Sequence, residues 1–556
     1  MNKRFLRTLS VCVATASVMA SLTLAPTTAG AAKVTSITSS NFTVDNGYLR
    51  GVYAGSTPAH INAGVDQNGS VNLYRGTTKL GDSEKLQTGD TVKLMNGSSV
   101  AQTLSLVITG DVNGDGKLNA ADLLYTQMSV LGVRELTDSN LKAAEMSNDG
   151  ELTAADMAIL QQYALGIGTP TVTDGFYNSD GIFYAVPVNV GKPGIARYAS
   201  NDQANNIARS VWDMQTYNGK VYFGSGDYDK NQSPAYIGCY DPETDEAYIF
   251  QDKIDDEQVE RFCIIDGKLV VPGIDPANNS VMHYFYLNEA ENSFVNYYMN
   301  TNGRLHNFDM ISYDGKVFLG GGTNSNVYAS AAAVSTDGGR NFSDVGVYYN
   351  GNIVNGYTNG GWGRVYNYFV VGGELYALFY QYSTTDGGNY AGVYKYDADA
   401  NRFNYYSTYS VFDSGYSHSY YVSNKVSGFI SYTFCQAAIT VGDKLAICNG
   451  NLLITKDMKN YTKIEPISGI VFTDLVYAND TLYALAMVPN TDGTATNYVY
   501  KSTDLSNFTE VMRFEASTFM RSMEYVDGTF VFGAGARAND TASFDSGTIY
   551  RVKFDS

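Results

Sequence analysis

Residues 111–132 read DVNGDGKLNAADLLYTQMSVLG, and residues 145–166 repeat the pattern as EMSNDGELTAADMAILQQYALG. Each copy begins with a loop of the 12-residue calcium-binding type, in which glycine occupies position 6. A run of helix-forming residues follows each loop, and each run ends in Leu-Gly. The pattern predicts a tandem of two loop–helix units.

The first loop has the oxygen ligands that calcium prefers. Calcium takes hard oxygen ligands at loop positions 1, 3, 5, 7, 9 and 12, and the glycine at position 6 allows a sharp turn. Position 7 contributes its backbone carbonyl, and position 9 binds directly or through water. The candidate ligands are Asp111, Asn113, Asp115, Lys117, Asn119 and Asp122. The sequence therefore predicts a calcium site here.

The second loop matches this pattern less well. Its candidate ligands are Glu145, Ser147, Asp149, Glu151, Thr153 and Asp156. A glutamate at position 1 must fold back, and a serine hydroxyl is a poor calcium ligand. Weak calcium binding and a purely structural copy both remain open. We expect Asp122→Ala to weaken calcium binding more than Asp156→Ala does.

Residues 109–168 resemble a type I dockerin through the duplicated loop–helix, the aspartate at loop position 12 and the Leu-Gly ends. The resemblance implies calcium-dependent binding to a cohesin-type scaffold protein. It also implies that loop positions 10 and 11, here Ala120, Ala121, Ala154 and Ala155, contact the partner. Identical pairs in both copies would let either helix bind, as the family's dual binding mode implies. The family's commoner Ser/Thr pair is absent, so a calcium-stabilised spacer without a cohesin partner remains the alternative.

The N-terminus has the features of a secretory signal peptide. Basic residues at positions 3, 4 and 7 precede an apolar stretch over 9–25, and Ala29-Gly30-Ala31 offers a cleavage pattern. We therefore expect residues 1–31 to be removed and the protein to be secreted, extracellular or attached to the cell surface. No later segment reaches the roughly 18 apolar residues of a membrane span. The net charge of −19 argues against a nucleic-acid partner.

Four cysteines follow the predicted cleavage site: Cys239, Cys263, Cys435 and Cys448. They show no C-x-x-C spacing, which argues against a zinc site. Disulfides and buried free thiols both remain open.

The fold class predicted from the sequence is mainly β. Residues 33–108 contain short strands and Asn-Gly turns such as Asn46-Gly47, which predict a small β-sandwich-like domain. The α-helical dockerin-like tandem follows at 109–168, and then a linker at 169–178. Residues 179–556 are rich in tyrosine and glycine, residue types typical of strands and tight turns.

A strand–turn–strand element recurs along residues 179–556. The residue just after each turn is Lys220, Lys268, Lys316, Glu374, Lys444, Thr481 or Thr529. Recurrent units with room for about four strands are typical of a β-propeller, here with seven blades. Asp180-Gly181-Ile182 belongs either to an eighth unit or to the strand that closes the ring.

Residues 335–342, STDGGRNF, fit the S-x-D-x-G-x-x-aromatic pattern of an Asp-box, and shorter relatives begin at Thr455 and Ser502. They resemble the turns of sialidase-like propellers, in which the aspartate accepts backbone donors. The resemblance supports the fold and implies no catalysis. Sialidase activity is not expected, because the family's Arg-Ile-Pro signature is missing; Gly194–Arg197 is the nearest stretch.

Aligning the seven repeats brings polar residues to one position, seven residues before each post-turn residue. The aligned residues, here called the polar ring, are Asp213, Arg261, Asp309, Asn367, Ala437, Asp474 and Ser522. They could line a mouth of the central channel, with Trp212, Glu260, His306, Tyr366 and Arg521 nearby. The alternative is that strand starts are polar because of their turns. Asp213, Arg261 and Asp309 are the candidate catalytic residues.

The sequence thus predicts a secreted protein that docks into a cell-surface or cellulosome-like complex and binds or processes carbohydrate in polysaccharide breakdown. An enzyme of this kind would be a glycoside hydrolase or a polysaccharide lyase, and a binding-only propeller stays open. The alternative is a non-catalytic adhesion or structural protein whose calcium module is only a clamp. Calcium is the one expected cofactor, and a glycan is a candidate ligand.

Overall fold

The structure is a computed structural model. It describes residues 35–66, 70–136, 138–147, 150–165, 167, 173–194, 209–226, 234–274, 283–299, 304–323, 330–354, 362–382, 390–408, 437–491, 493–536 and 545–554. The predicted signal peptide, residues 1–31, lies outside these ranges, as do Asp149, Cys435 and residues 195–197.

The small N-terminal domain is one mixed sheet with a helix on it, so the expectation of a sandwich of two sheets is wrong. The elements are β1 (Thr43–Asp45), β2 (Tyr48–Val52), α1 (Pro58–Gly64), β3 (Val71–Arg75), β4 (Thr78–Lys79), β5 (Thr91–Asn96) and β6 (Ser99–Ile108). The sheet order is β1-β2-β6-β5-β3-β4, and β2 pairs with β6 in parallel. Thr57 caps α1, and Ile61 of this helix is buried in the sheet's apolar cluster, where a second sheet would otherwise pack.

The predicted tandem folds as two matching loop–helix units. Helix α2 (Ala120–Val130) follows the first loop, and the equally long α4 (Ala154–Ala164) follows the second. A short helix, α3 (Asp138–Ala144), connects them. Each loop–helix junction has a capping box in which the position-12 aspartate and the N-cap residue exchange hydrogen bonds. The loop-closing aspartates therefore also start the helices.

The predicted linker at 169–178 is structured in its second half. Strand β7 (Gly175–Tyr177) pairs with β8 (Phe183–Ala185), and β9 (Val188–Gly191) follows. The ring of Phe176 packs on Phe42 of the small domain with centroids 5.6 Å apart. Asp174 pairs with Arg551 and accepts the backbone N–H of Lys553 near the far end of the chain.

Seven groups of four antiparallel strands follow in the described residues and are numbered units 1 to 7 below; the outer strands of units 3 and 4 pair in parallel, which joins these two units into one nine-stranded sheet. Their strands are: unit 1, β10 (Met214–Tyr217), β11 (Lys220–Gly224), β12 (Ile237–Asp241), β13 (Glu246–Gln251); unit 2, β14 (Cys263–Ile265), β15 (Lys268–Pro272), β16 (His283–Asn288), β17 (Ser293–Tyr298); unit 3, β18 (Arg304–Tyr313), β19 (Lys316–Thr323), β20 (Ala332–Ser335), β21 (Ser343–Tyr349), with the added β22 (Asn352–Ile353); unit 4, β23 (Trp362–Val371), β24 (Glu374–Tyr382), β25 (Gly392–Asp397), β26 (Arg402–Ser407); unit 5, β27 (Ala437–Val441), β28 (Lys444–Cys448), β29 (Leu452–Thr455), β30 (Tyr461–Ile464); unit 6, β31 (Val471–Ala478), β32 (Thr481–Pro489), β33 (Ala495–Ser502), β34 (Thr509–Ala516); unit 7, β35 (Met520–Val526), β36 (Thr529–Ala534), β37 (Ile549–Lys553). The fourth strand of unit 7 is β9, from the start of the region.

The first strands of successive units contact one another. Contacts join β14 to β18, β18 to β23, β23 to β27, β27 to β31, β31 to β35 and β35 back to β10. Units 1 and 2 are joined by a hydrogen bond from the backbone N–H of Phe262 to Asp213. The second strands are almost wholly buried, as in β36, whereas the fourth strands are half exposed, as in β13. This gradient is expected when sheets pack face to face around a centre.

Asp180-Gly181-Ile182 forms the turn region between β7 and β8, and β8 adds to the outer strand of unit 6 in parallel. The strand that joins the two ends of the region is β9, which pairs with β37 and lies just after the predicted residues. The hairpin is thus an extension of unit 6, and the closing strand comes a few residues later than the turn signal suggests.

The Asp-box turns have the expected hydrogen bonds. Asp337 accepts the backbone N–H groups of Arg340 and Asn341, and Gly339 donates its N–H to the Ser335 hydroxyl. Asp457 and Asp504 accept the same kind of bonds in units 5 and 6. The bond network, led by the side chain of Asn341, lowers the pKa of Asp337 to about 2. These aspartates therefore stabilise the turns between third and fourth strands.

Candidate docking and channel sites

The first calcium-type loop is folded around two buried carboxylates. Asp111 accepts backbone N–H bonds from Thr88, Asp115 and Gly116 at 2.8, 2.9 and 3.1 Å. Asp122 accepts three such bonds, from residues 112, 113 and 119. Both aspartates are fully buried, and burial raises the pKa of each carboxyl. A cation at this loop would compensate these buried acids.

The other first-loop candidates surround the same turn. Asn113 and Asp115 are joined by a side-chain hydrogen bond, and the Asp115 carboxylate also accepts the backbone N–H of Lys117. Asn119 caps α2 through the N–H of Ala121. In the described residues, no three acidic, histidine or cysteine side chains converge as the ligands of a metal ion do. This ligand set also uses amide and backbone carbonyl oxygens, and the residues present fit calcium.

The second loop is closed differently. Glu145 forms an ion pair with Lys142, and the hydroxyls of Ser147 and Thr153 donate to Asp156. Burial alone would raise the pKa of the Asp156 carboxyl, but hydrogen bonds from Ser147 and Thr153 lower it. Glu151 is exposed.

The predicted partner-binding alanines lie at matching places on the two helices. Ala120, Ala154 and Ala155 are exposed, and Ala121 is half-buried. At the other end of each helix, large apolar side chains reach the solvent, which the sequence reasoning did not single out. Leu131 and Val133 after α2 are each 69% exposed, and Leu165 and Ile167 after α4 are 68% and 58% exposed. These exposed apolar residues recur at matching places in both copies and are candidates for a contact surface.

Residues 109–165 match the family model described as the dockerin type I domain. The chain carries a dockerin type I domain. Type I dockerin domains bind calcium and imply a cohesin partner, which supports calcium as the cofactor in general. No helix among the described residues is long and apolar enough to cross a membrane.

Beyond the dockerin domain, the structure brings the three candidate catalytic residues together in units 1 to 3. An Arg261 guanidinium nitrogen lies 3.7 Å from a carboxylate oxygen of Asp309. The Arg261 charge also acts on Asp213, whose burial nevertheless raises the pKa of its carboxyl to about 6. Asp309 is only 6% exposed, and its pKa is likewise raised by burial.

The aspartates of the polar ring connect neighbouring units. Three of these aspartates each accept a hydrogen bond from a backbone N–H group. The bonds are Phe262 to Asp213 at 2.7 Å, Tyr368 to Asp309 at 2.8 Å, and Met523 to Asp474 at 2.8 Å. In each case the donor belongs to the next unit and follows that unit's own polar-ring residue. The polarity of the ring therefore has a structural reason that local turn chemistry does not supply.

A second row of side chains lies one residue before the polar ring. In units 3, 4, 6 and 7 the register shifts between the flanking residues, so this residue is the extra one in a β-bulge. Bulges re-aim side chains and are frequent beside active sites. The described members, here called the bulge row, are Trp212, Glu260, Phe308, Tyr366, Thr473 and Arg521. The sequence alignment contained this row but gave no reason to prefer it.

Bulge-row side chains from different units contact one another. The Arg521 guanidinium lies 4.2 Å from the ring centroid of Trp212, and Phe308 and Tyr366 have ring centroids 4.7 Å apart. Glu260 interacts electrostatically with both Arg521 and Tyr366. Its buried Oε1 atom has no hydrogen-bond partner in the described structure. Burial raises the pKa of Glu260 to about 7, against the effect of the two arginines nearby.

His306 and Arg364 lie beside the bulge row. His306 Nδ1 is 2.7 Å from the carbonyl oxygen of Ile274, a contact in which the ring nitrogen must donate. Arg364 donates to the hydroxyl of Tyr366 at 3.2 Å. Both side chains approach Gly322, which pairs with each of them in the sheet. The imidazole of His306 and the guanidinium of Arg364 thus lie close together, and Tyr366, which Arg364 contacts, interacts electrostatically with Glu260.

On the other side of the polar ring lies a cavity of about 490 Å³. Asp213, Arg261, Asp474 and Glu524 line it. Glu524 accepts a hydrogen bond from the Thr216 hydroxyl at 2.8 Å, and burial raises the pKa of Glu524 to about 8.

The described cysteines Cys239, Cys263 and Cys448 are buried free thiols, which favours the thiol alternative for these three.

No curated protein matches the chain. Among solved structures, it is similar to the PL25 ulvan lyase bound to -[GlcA(1-4)Rha3S]- (12% identity, TM-score 0.34, 66% of this chain and 94% of that chain). It is also similar to a catalytically inactive virginiamycin B lyase from Staphylococcus aureus with quinupristin (10% identity, TM-score 0.35, 66% of this chain and 98% of that chain). A third similar structure is the polysaccharide lyase Uly1 (11% identity, TM-score 0.33, 63% of this chain and 91% of that chain). At these TM-scores the likenesses carry no argument about function.

Proposed function

We propose that this protein is secreted, docks through its dockerin domain to a cohesin-bearing scaffold in a calcium-dependent way, and presents a propeller that acts on carbohydrate. The observation that carries the docking is the matched pair of loop–helix units, with exposed alanines at one end of each helix and exposed apolar residues at the other. The calcium ligands we assign in the first loop are Asp111, Asn113, Asp115, Asn119, Asp122 and the carbonyl of Lys117. Calcium there would neutralise the buried carboxylates and order the start of α2.

The two exposed helix faces provide the test of docking. An arginine pair at Ala120 and Ala121, or at Ala154 and Ala155, should leave cohesin binding nearly intact, because the other face still binds. Both pairs together should abolish it. Surface plasmon resonance against a panel of type I cohesins measures this. Full loss from one pair alone would contradict use of either face, and full binding by the four-arginine variant would place the contact elsewhere.

We further propose that units 1 to 7 form the blades of a seven-bladed propeller. The ring of contacts between first strands supports this, as does β9, which joins the beginning of the region to unit 7. The bulge row then lies around one mouth of the channel, where ligands enter a propeller without crossing its core.

Glu260 is the group at this mouth that we assign to proton transfer. Its carboxyl is 4% exposed, faces Arg521 and Tyr366, and has an oxygen with no hydrogen-bond partner in the described structure. A carboxyl with a pKa of about 7 can hold a proton at neutral pH and donate it to a leaving group. Tyr366, which interacts with Glu260, could hold an anionic or hydroxyl-rich ligand together with Arg364 and His306. Asp213 and Asp309 serve better as connectors between units.

The test is digestion of a polysaccharide panel by the full chain. We expect fragments from at least one polymer, and an activity about 100-fold lower or worse for Glu260→Gln. Asp443→Asn, an exposed carboxylate paired with Lys456, is the matched control and should keep full activity. Unsaturated, ultraviolet-absorbing ends would identify a lyase, and their absence a hydrolase. Full activity of Glu260→Gln would refute the assignment, and neither binding nor cleavage of any polymer would refute the carbohydrate function.

One observation favours a second candidate function, a structural calcium clamp. The small domain packs on the first loop: Thr88 donates its backbone N–H to Asp111, and a Cβ on Gly116 would lie 2.6 Å from the Leu86 carbonyl oxygen. A calcium ion in this loop would therefore also fasten the small domain to the dockerin domain. Intact folding in calcium without binding to any cohesin would favour this candidate.

A further inference from the structure

Two positively charged side chains lie beside the second loop of the dockerin domain. The Glu145 carboxylate at loop position 1 lies 3.0 Å from the Lys142 ammonium and 3.9 Å from the Arg50 guanidinium of the small domain. The Glu145 side chain is only 5% exposed, so this ion-pair group is shielded from solvent. In the first loop, Asp111 at the same position is bonded to backbone N–H groups.

The carboxylate at position 12 of the second loop, Asp156, accepts hydrogen bonds from two hydroxyl groups. Ser147 Oγ donates to Asp156 Oδ1 at 2.8 Å, and Thr153 Oγ1 donates to Asp156 Oδ2 at 3.2 Å. A hydroxyl that donates to this carboxylate directs a proton to the oxygen that would have to face a metal ion. Backbone N–H groups bond to the closing aspartates of both loops, but the first loop has Asn113 and Asn119 at these two positions, so it has no hydroxyl there to donate to Asp122.

We infer that the second loop is closed by side chains in place of calcium: Lys142, with Arg50 of the small domain, neutralises Glu145, while Ser147 and Thr153 hold Asp156. The dockerin domain then takes one calcium ion, in the first loop, and α4 keeps its fold without metal. This rests on the calcium site proposed for the first loop. Asp149, at position 5, lies outside the described residues and takes no part in the argument.

Calorimetric titration of calcium into the metal-stripped full chain tests the stoichiometry. Asp122→Ala should lose one calcium relative to the unchanged protein, and Asp156→Ala should lose none. The triple variant Glu145→Asp, Ser147→Asn, Thr153→Asn, which copies the first loop, should gain one. A calcium that Asp156→Ala removes and Asp122→Ala retains would overturn the inference, as would no gain in a folded triple variant.

Hydrogen exchange separates this inference from the first-loop proposal. In chelator, amides at the start of α2 should lose protection, whereas those of α4 should keep it. Arg50→Ala with Lys142→Ala should then expose α4 amides in chelator, and Asp45→Ala, which removes only the 3.8 Å partner of Arg50, should not. Equal loss of protection in both helices of the unchanged protein would contradict a metal-free second loop. Protection of both would contradict the first-loop site instead.

Discussion

At the scale of single residues, aspartates of the polar ring connect neighbouring units. Asp213, Asp309 and Asp474 each accept a backbone N–H from the neighbouring unit, and each is buried or nearly so. A donor left without its acceptor inside a protein costs about 1–3 kcal/mol. Alignment of the repeats could predict that these positions share a place, but it could not predict their partners, because those lie about 50 residues away in sequence.

Asp474→Ala should lower the free energy of unfolding by about 1–3 kcal/mol, because it leaves the buried N–H of Met523 without its acceptor. Both tryptophans of the chain, Trp212 and Trp362, lie in the seven-unit region, so tryptophan fluorescence during denaturation reports on this region. Asp443→Ala, which removes an exposed carboxylate 69% accessible to solvent, should leave the free energy of unfolding nearly unchanged. Equal effects would contradict the connector role.

The buried acids predict a pH dependence of stability. Burial raises the pKa of Glu524 to about 8, so the folded state binds a proton that the unfolded state releases at lower pH. Stability should therefore fall as the pH rises from about 4.5 to about 8. Thermal melting followed by tryptophan fluorescence measures this, and Glu524→Gln should flatten part of the slope. A melting temperature that rises over this interval would contradict the assignment.

At the scale of elements, the hairpins are the part that the sequence predicts best. Every post-turn residue of the alignment, from Lys220 to Thr529, begins the second strand of its unit. The turns carry positive φ at residues such as Asn218 and Gly219, which is why Asn-Gly and Asp-Gly pairs mark them. Turn chemistry is local, so it can be read from the sequence. Three features could not be predicted from the sequence, because they depend on residues that are distant along the chain: helix α1, the position of β9 and the bulge row.

Packing between elements gives a sharper test at Gly224, the last residue of β11. A Cβ there would lie 2.1 Å from the carbonyl oxygen of Val259, which belongs to the connection leading into unit 2. Gly224→Ala should therefore destabilise the seven-unit region by about 1–3 kcal/mol. Gly81→Ala in the small domain, where the nearest atom is a flexible Glu84 oxygen at 3.8 Å, should leave the tryptophan transition unchanged. An unaffected Gly224→Ala protein would mean that units 1 and 2 pack less closely.

At the scale of the whole molecule, the dockerin domain is built into its surroundings. The small domain contacts both calcium-type loops, through Thr88 at the first and Arg50 at the second. On the other side, Phe176 and Asp174 connect the start of the seven-unit region to the small domain and to the chain's last strand. A docking partner must therefore bind the helix faces that remain exposed between these two neighbours. The order of the domains could be predicted from the sequence, whereas the contacts between them could be identified only in the folded structure.

The most direct test of the account is the affinity of the full chain for a panel of type I cohesins, measured in calcium and in chelator. We expect at least one cohesin to bind in calcium. In the variant with arginines at Ala154 and Ala155, which leaves only the face beside the first loop, chelator or Asp122→Ala should weaken binding about 100-fold or more, a loss of about 2.8 kcal/mol, with tryptophan fluorescence unchanged. A correctly folded protein that binds no cohesin, or a variant of this kind that binds equally well in chelator, would contradict calcium-dependent docking.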